Sequence, residues 1–152
     1  MRILIADDET PKLNRLDEFV RTVYPLADID FARSVKSAIA SMTALLPDLV
    51  LLDMSLPTFD VAPGEPGGRP QGFGGIEVLR YMDFYELAAP VIVVTQYEAF
   101  TEKGKNVDLR SLSDRMRSDH GSSFRDCVYF GRIHDEWQKD LKKKMFDAVG
   151  KN

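Results

Sequence analysis

Hydrophobic residues in this chain fall into two kinds of segment that alternate along its length. Ile3-Leu4-Ile5-Ala6, Leu49-Val50-Leu51-Leu52, Val91-Ile92-Val93-Val94 and Cys127-Val128-Tyr129-Phe130 are short unbroken runs. Such runs predict strands covered on both faces, as in a parallel sheet. Ile29 and Phe31, separated by Asp30, predict a weaker strand near an edge. Between the runs the apolar positions switch to helical spacing. Leu13, Leu16, Val20 and Val23 mark one helix, with Thr10 as its expected cap and Pro11 at its first helical position. Val35, Ala38, Ile39, Met42 and Leu45 repeat the pattern behind Ser34, and Ile76, Leu79 and Met82 do so after Gly74-Gly75. Leu109, Leu112 and Met116 mark a fourth helix, and Trp137, Leu141, Met145 and Val149 a fifth. Asp135 and Gln138 have the spacing of a capping box ahead of that last stripe. Five strands and five helices in alternation imply βαβ units with right-handed crossovers, hence an α/β fold with a parallel sheet covered on both sides.

Two connections are long. From Thr58 to Gly75, nine of eighteen residues are Gly or Pro, which excludes a helix or a central strand there. The stretch from Tyr97 to Arg125 is polar and charged, and only part of it is helical in pattern. No internal repeat is visible, and no further unit is expected after the fifth helix. The expectation is a single domain over 1–152 with an insertion at about 58–75 and a long polar connection at about 97–125.

Composition narrows the function classes. Lys+Arg of 20 against Asp+Glu of 24 gives a net charge of −4, so direct nucleic-acid binding through a basic surface is not expected. The single cysteine, Cys127, excludes an internal disulfide and a cysteine-based zinc site. The first apolar run is too short for a signal peptide, and no stretch reaches the ~18–20 apolar residues of a membrane span. A cytoplasmic protein without membrane insertion is the expectation.

Chemistry gathers at the strand ends. In an open parallel sheet, ligands bind beyond the carboxyl ends of the strands, where strand order reverses. The first strand runs into Asp7-Asp8-Glu9, the third into Asp53, the fourth ends at Thr95 and the fifth runs into Gly131-Arg132. Adjacent strands lie ~4.8 Å apart, so Asp53 would approach Asp7 and Asp8 if the first and third strands pair. Carboxylates that close repel unless a cation joins them, and oxygen ligands suit a hard divalent ion such as Mg²⁺. An aspartate is also a competent nucleophile towards phosphorus, with Thr95 and Arg132 placed to contact phosphoryl oxygens.

These segments resemble the receiver domain of bacterial two-component response regulators, including the single-domain kind. The resemblance rests on Ile3-Leu4-Ile5-Ala6-Asp7-Asp8-Glu9, Leu49-Val50-Leu51-Leu52-Asp53-Met54-Ser55-Leu56-Pro57, Gly75-Ile76-Glu77-Val78-Leu79 and Pro90-Val91-Ile92-Val93-Val94-Thr95. It implies a flavodoxin-like doubly wound sheet of order 2-1-3-4-5. It also implies that Asp53 is the phosphoacceptor loaded by a histidine kinase or phosphotransfer protein. Asp8, Asp53 and the Ser55 backbone carbonyl would be the Mg²⁺ ligands, with Asp7 assisting through water. Thr95 matches the switch hydroxyl, Tyr129 the aromatic that follows it inward, and Pro57 the proline after the phosphoacceptor. Arg132-Ile133 stands where the family has lysine and proline, and Gln96 where a small residue usually follows the hydroxyl. Arginine keeps the charge but not the compact ammonium.

Two functions follow. In the first, Asp53 is phosphorylated and the surface around the fourth and fifth helices changes affinity for a downstream protein target; a homodimer is compatible with this. The second, motivated by Arg132, Gln96 and the insertion, is a pseudo-receiver that binds proteins without phosphorylation. An aspartate-nucleophile phosphatase is disfavoured, because Ser55 stands where such enzymes place a second acid. Flavin phosphate would be repelled by the acids. Cys127 is expected in the core, His120 and His134 on the surface, and Lys142-Lys143-Lys144 on a solvated helix face. Arg110, Arg115 and Arg117 fall in the region that the family uses for partner contact.

Overall fold

The computed structural model describes residues 1–60, 73–131 and 135–150. Five strands form a wholly parallel sheet: β1 (Arg2–Ala6), β2 (Asp28–Ala32), β3 (Leu49–Leu52), β4 (Val91–Thr95) and β7 (Phe124–Tyr129), in the order β2-β1-β3-β4-β7. The helices are α1 (Thr10–Val23), α2 (Val35–Ala44), α3 (Gly74–Phe84), α4 (Leu109–Asp119) and α5 (Glu136–Val149). The expected doubly wound fold is therefore present, with one difference. The connection after β4 contains β5 (Ala99–Glu102) and β6 (Lys105–Asp108), which pair antiparallel as a separate hairpin. Its two-residue turn, Lys103-Gly104, has φ of 50° and 78°, the left-handed pair that a tight hairpin turn requires. Helical periodicity does not report such a turn, so the hairpin went unread.

Alternation along each strand divides the core into two layers. Ile3, Ile5, Leu49, Leu51, Ile92 and Val94 pack with Leu13, Leu16 and Val20 of α1 and Trp137, Leu141 and Met145 of α5. Leu4, Ala6, Val50, Leu52, Val91 and Val93 face the other way, onto α2, α3 and α4. Burial on both faces explains why these strands read as unbroken apolar runs. β2 is an edge strand, and its Phe31 is exposed, as its polar interruption suggests.

Local details correct several expectations. The N-cap of α1 is Glu9 rather than Thr10, which already lies inside the helix with Pro11. Ser34 caps α2 through a reciprocal bond pair with Ser37. Asp135 is the N-cap of α5, but its carboxylate makes no capping bond; it pairs instead with Arg15 of α1 at 2.8 Å. His120 is not a surface residue. It is buried at the end of α4, and its Nδ1 lies 2.5 Å from Asp83 of α3. Lys144 is also less solvated than its run suggests, donating to the Cys127 carbonyl and to Asp140. His134 and most of the 58–75 insertion lie outside the described residues.

The start of α3 presses directly on the loop that follows β3. A Cβ at Gly74 would stand 1.8 Å from the Leu56 carbonyl oxygen, and one at Gly75 would stand 2.9 Å from the Met54 Cα. Because the obstacle is backbone, Gly74→Ala is expected to cost about 2–3 kcal/mol and to disturb the Asp53 loop, measurable by denaturant unfolding. Cys127 is buried, and that burial pushes its thiol up to about 12. Only the thiolate alkylates. The folded protein is therefore expected to resist iodoacetamide at mildly alkaline pH while the denatured chain labels fully, as intact mass will report.

Candidate functional site

Sheet topology brings the acidic residues together. Ala6 and Leu52, the last residues of β1 and β3, are register partners, so the residues that follow them leave the sheet side by side. The Asp53 amide donates to the Ala6 carbonyl and the Asp7 amide to the Ala32 carbonyl, both at 2.9 Å, which fixes the two backbones at the sheet's edge. Oxygens from Asp7, Asp8 and Asp53 all lie within 4.8 Å of one another. Asp7 and Asp53 are 1% and 5% exposed, whereas Asp8 is open to solvent. The Asp7 carboxylate also accepts from the Glu9 amide at 2.9 Å, tying the site to the first turn of α1.

That turn delivers a residue missed by the sequence reading. Lys12 is only 2% exposed, and its Nζ contacts three strand ends. It lies 2.8 Å from Asp7 Oδ2 after β1, 3.1 Å from Asp53 Oδ1 after β3, and donates at 2.7 Å to the Val94 carbonyl in β4. An ammonium has three donors, and here it has three oxygen neighbours. The contact with Asp7 is an ion pair outside good hydrogen-bond alignment, since Asp7 Oδ2 lacks a hydrogen-bond partner. A signal was present in the sequence. Lys12, Leu16 and Val20 are spaced by four, so Lys12 stands on the same face of α1 as two core residues.

Charge in the cluster remains unbalanced in favour of the acids. Burial pushes the Asp7 carboxyl up to about 7; Lys12 opposes that rise and Asp53 adds to it. Asp8, though open to solvent on one side, is raised too, first by the partial loss of water on the side facing the site and then by the neighbouring Asp53 charge. Burial alone would lower the Lys12 ammonium, but Asp53 and Asp7 outweigh it and raise it above its ordinary value. One lysine therefore does not satisfy three carboxylates. An all-oxygen donor set with surplus negative charge fits a hard divalent cation.

The remaining candidates are distributed as follows. Ser55 lies beside the cluster, its hydroxyl 3.2 Å from Asp53 Oδ2. Thr95 is fully buried at the end of β4, where its hydroxyl accepts from the Tyr97 amide at 3.2 Å. Tyr129 is its register partner on β7, an exposed residue at 43% that lies on the outer side of the sheet's end. The Gln96 amide donates to the Tyr97 hydroxyl at 3.4 Å. The Pro57 carbonyl accepts from the Val35 amide, joining the loop after Asp53 to the start of α2. Arg132 lies outside the described residues. Arg117 is paired with Asp114 and Asp126 on the α4 side.

The raised Asp7 value has a sign that can be tested in metal-free protein. A carboxyl that holds its proton more tightly when folded contributes stability fully below pH 3.8 and loses it as pH rises towards about 7. With a chelator present, Asp7→Asn is therefore expected to melt higher relative to the parent at pH 7.5 than at pH 4, the comparison being made by calorimetry.

No family model matches the chain. It is 27% identical over 147 residues to the Detocs response regulatory protein DtcB of Enterobacter cloacae, an alignment covering 95% of this chain and 98% of that one. The protein of the same name from Vibrio alginolyticus is 26% identical, with 97% and 98% covered. Among solved structures, the signal receiver domain of a LuxO repressor protein from Vibrio parahaemolyticus superposes with a TM-score of 0.67 at 18% identity, covering 97% of this chain and 88% of that one. The response regulator TrrA from Thermotoga maritima, solved in complex with Mg²⁺ and BeF, gives 0.58 at 23%, with 94% and 97% covered. Over nearly all of its length the chain resembles response regulators, and its fold is that of their receiver domains.

Proposed function

We propose that the chain acts as a single receiver-like domain over 1–152 whose Asp53 accepts a phosphoryl group from a histidine kinase or phosphotransfer protein. The observation that carries this reading is the meeting of Asp7, Asp8 and Asp53 at the ends of β1 and β3, the sheet's switch point. A carboxylate oxygen of Asp53 attacks phosphorus while the bond from phosphorus to the donor's nitrogen or oxygen breaks. The donor leaves with that electron pair. Asp8, Asp53 and the Ser55 carbonyl are the residues to hold Mg²⁺, with Asp7 contributing through water. When bound, Mg²⁺ supplies neutralisation of phosphoryl charge.

Downstream of that step, the Thr95 hydroxyl exchanges its Tyr97 partner for a phosphoryl oxygen, and the exposed Tyr129 ring follows into the space vacated. Both residues end paired strands at the α4–α5 side, so their movement alters the surface offered to a protein target. A difference of a few kcal/mol in partner affinity between two states suffices for such a switch. The chain is then a phosphoacceptor and not a turnover enzyme. Its relatives' designation as response regulatory proteins supports a role between proteins. Among the described residues, no helix is long and apolar enough to cross a membrane.

One observation favours a second reading, a pseudo-receiver that binds partners without phosphorylation. Lys12 already occupies one oxygen of Asp53, which is itself only 5% exposed. Incubation with acetyl phosphate and Mg²⁺ followed by intact mass separates the two. The first reading expects a gain of one phosphoryl group in the parent and none in Asp53→Asn. It also expects Mg²⁺ with beryllofluoride to raise the melting temperature, since both bind only the folded state. Neither effect is expected of a pseudo-receiver.

A further inference from the structure

We infer that Lys12 of α1 is the phosphoryl-contacting cation of this site, taking the part that the resemblance would give to a residue at the end of β7. The inference rests on the phosphoacceptor reading of Asp53 and adds a residue that neither the sequence pattern nor the similar proteins' names assign.

The geometry is specific. Burying an ammonium is costly unless its donors are met, and Lys12 is 2% exposed with oxygens of Asp7, Asp53 and Val94 at 2.8, 3.1 and 2.7 Å. It contacts Asp53 on Oδ1, while Oδ2 takes the Ser55 hydroxyl, so the two oxygens face different neighbours. A phosphoryl group on Asp53 would meet the ammonium at hydrogen-bond range. The Val94 carbonyl and Asp7 would keep that ammonium in place as its third contact passes from the carboxylate to a phosphoryl oxygen. No proton or electron leaves Lys12 in the step; it stays a cation, and the donor departs with the electron pair of the broken bond. Pro11 and the Asp7–Glu9 turn set the position of α1, so the reach of Lys12 follows from backbone already fixed at the site. The tie to Val94 also places the ammonium one residue from Thr95, the switch hydroxyl of the proposed mechanism.

A positive charge at this point has opposite effects on the two ligands. It repels a divalent cation bound by the same carboxylates and attracts a phosphoryl group. Lys12→Gln is therefore expected to bind Mg²⁺ about tenfold more tightly by isothermal titration. At saturating Mg²⁺, it is expected to gain a phosphoryl group from acetyl phosphate about 100-fold more slowly than the parent, the scale seen when one charge-stabilising donor is removed. Lys12→Arg, which keeps the charge, should retain much of the rate, and Arg132→Ala should slow it far less than Lys12→Gln. Circular dichroism verifies folding, and Lys12→Met, which keeps the buried stem, replaces the glutamine variant should that one unfold. Phosphorylation of Lys12→Gln near the parental rate overturns the inference. So does joint loss of Mg²⁺ binding and phosphorylation, which would mark Lys12 as structural support, and so does a larger loss in Arg132→Ala. A parent that binds Mg²⁺ but takes neither a phosphoryl group nor beryllofluoride overturns the phosphoacceptor reading itself.

Discussion

Three carboxylates with oxygens inside 4.8 Å of one another must be held against their own repulsion, and a buried ammonium supplies the restraint. Removing the ammonium from such a cluster would leave buried carboxylates without a counter-ion, which costs far more than an exposed pair contributes. The arrangement at the sheet edge is accordingly cross-linked at several points. Lys12 joins the ends of β1, β3 and β4, and the first turn of α1 is fastened to Asp7 through the Glu9 amide. Yet the restraint is incomplete, because Asp7 and Asp8 both hold protons more tightly than isolated carboxyls. A site left with surplus negative charge is suited to a ligand that brings more positive charge.

The fold makes this concentration of charge tolerable. Two apolar layers, one against α1 and α5 and the other against α2, α3 and α4, bury the strands on both faces. Stability is gathered there, leaving the carboxyl edge free to carry polar residues that would weaken a core. The glycines at the start of α3 let that helix approach within contact of the Met54 and Leu56 backbone. The loop bearing Asp53 is thus supported from below by close packing as well as from the side by Lys12.

The two long connections leave the same edge of the sheet, one after β3 and the other after β4. In the second, a tight hairpin stands before α4, with Phe100 packed near Phe73 and Tyr97. Residues next to the site are thereby joined by aromatic contacts to the start of α3. Thr95 sits where that connection begins, and the exposed Tyr129 lies across from it on β7. Thr95 is thereby joined to the hairpin through Tyr97 and to β7 through its pairing with Tyr129.

Much of this was legible in the chain itself. Unbroken apolar runs and helical stripes specify an α/β fold with a parallel sheet because burial on both faces removes polar alternation from the strands. Asp7, Asp8, Asp53 and Thr95 could be assigned to one edge because topology places all the strand ends there. The hairpin was hidden, since Lys103-Gly104 is a turn signal of two residues within a polar stretch. Asp135 looked like a helix cap, but a long-range partner, Arg15, took its carboxylate. His120 looked isolated because Asp83 is distant along the chain and close only after α3 and α4 pack. Lys12 was the largest omission. Its spacing from Leu16 and Val20 pointed it towards the sheet, but a lysine on an apolar face is ordinarily free to reach back to water. Only the packing of α1 over three strand ends decided that its ammonium would stay inside, because there it meets the oxygens that water would otherwise have supplied.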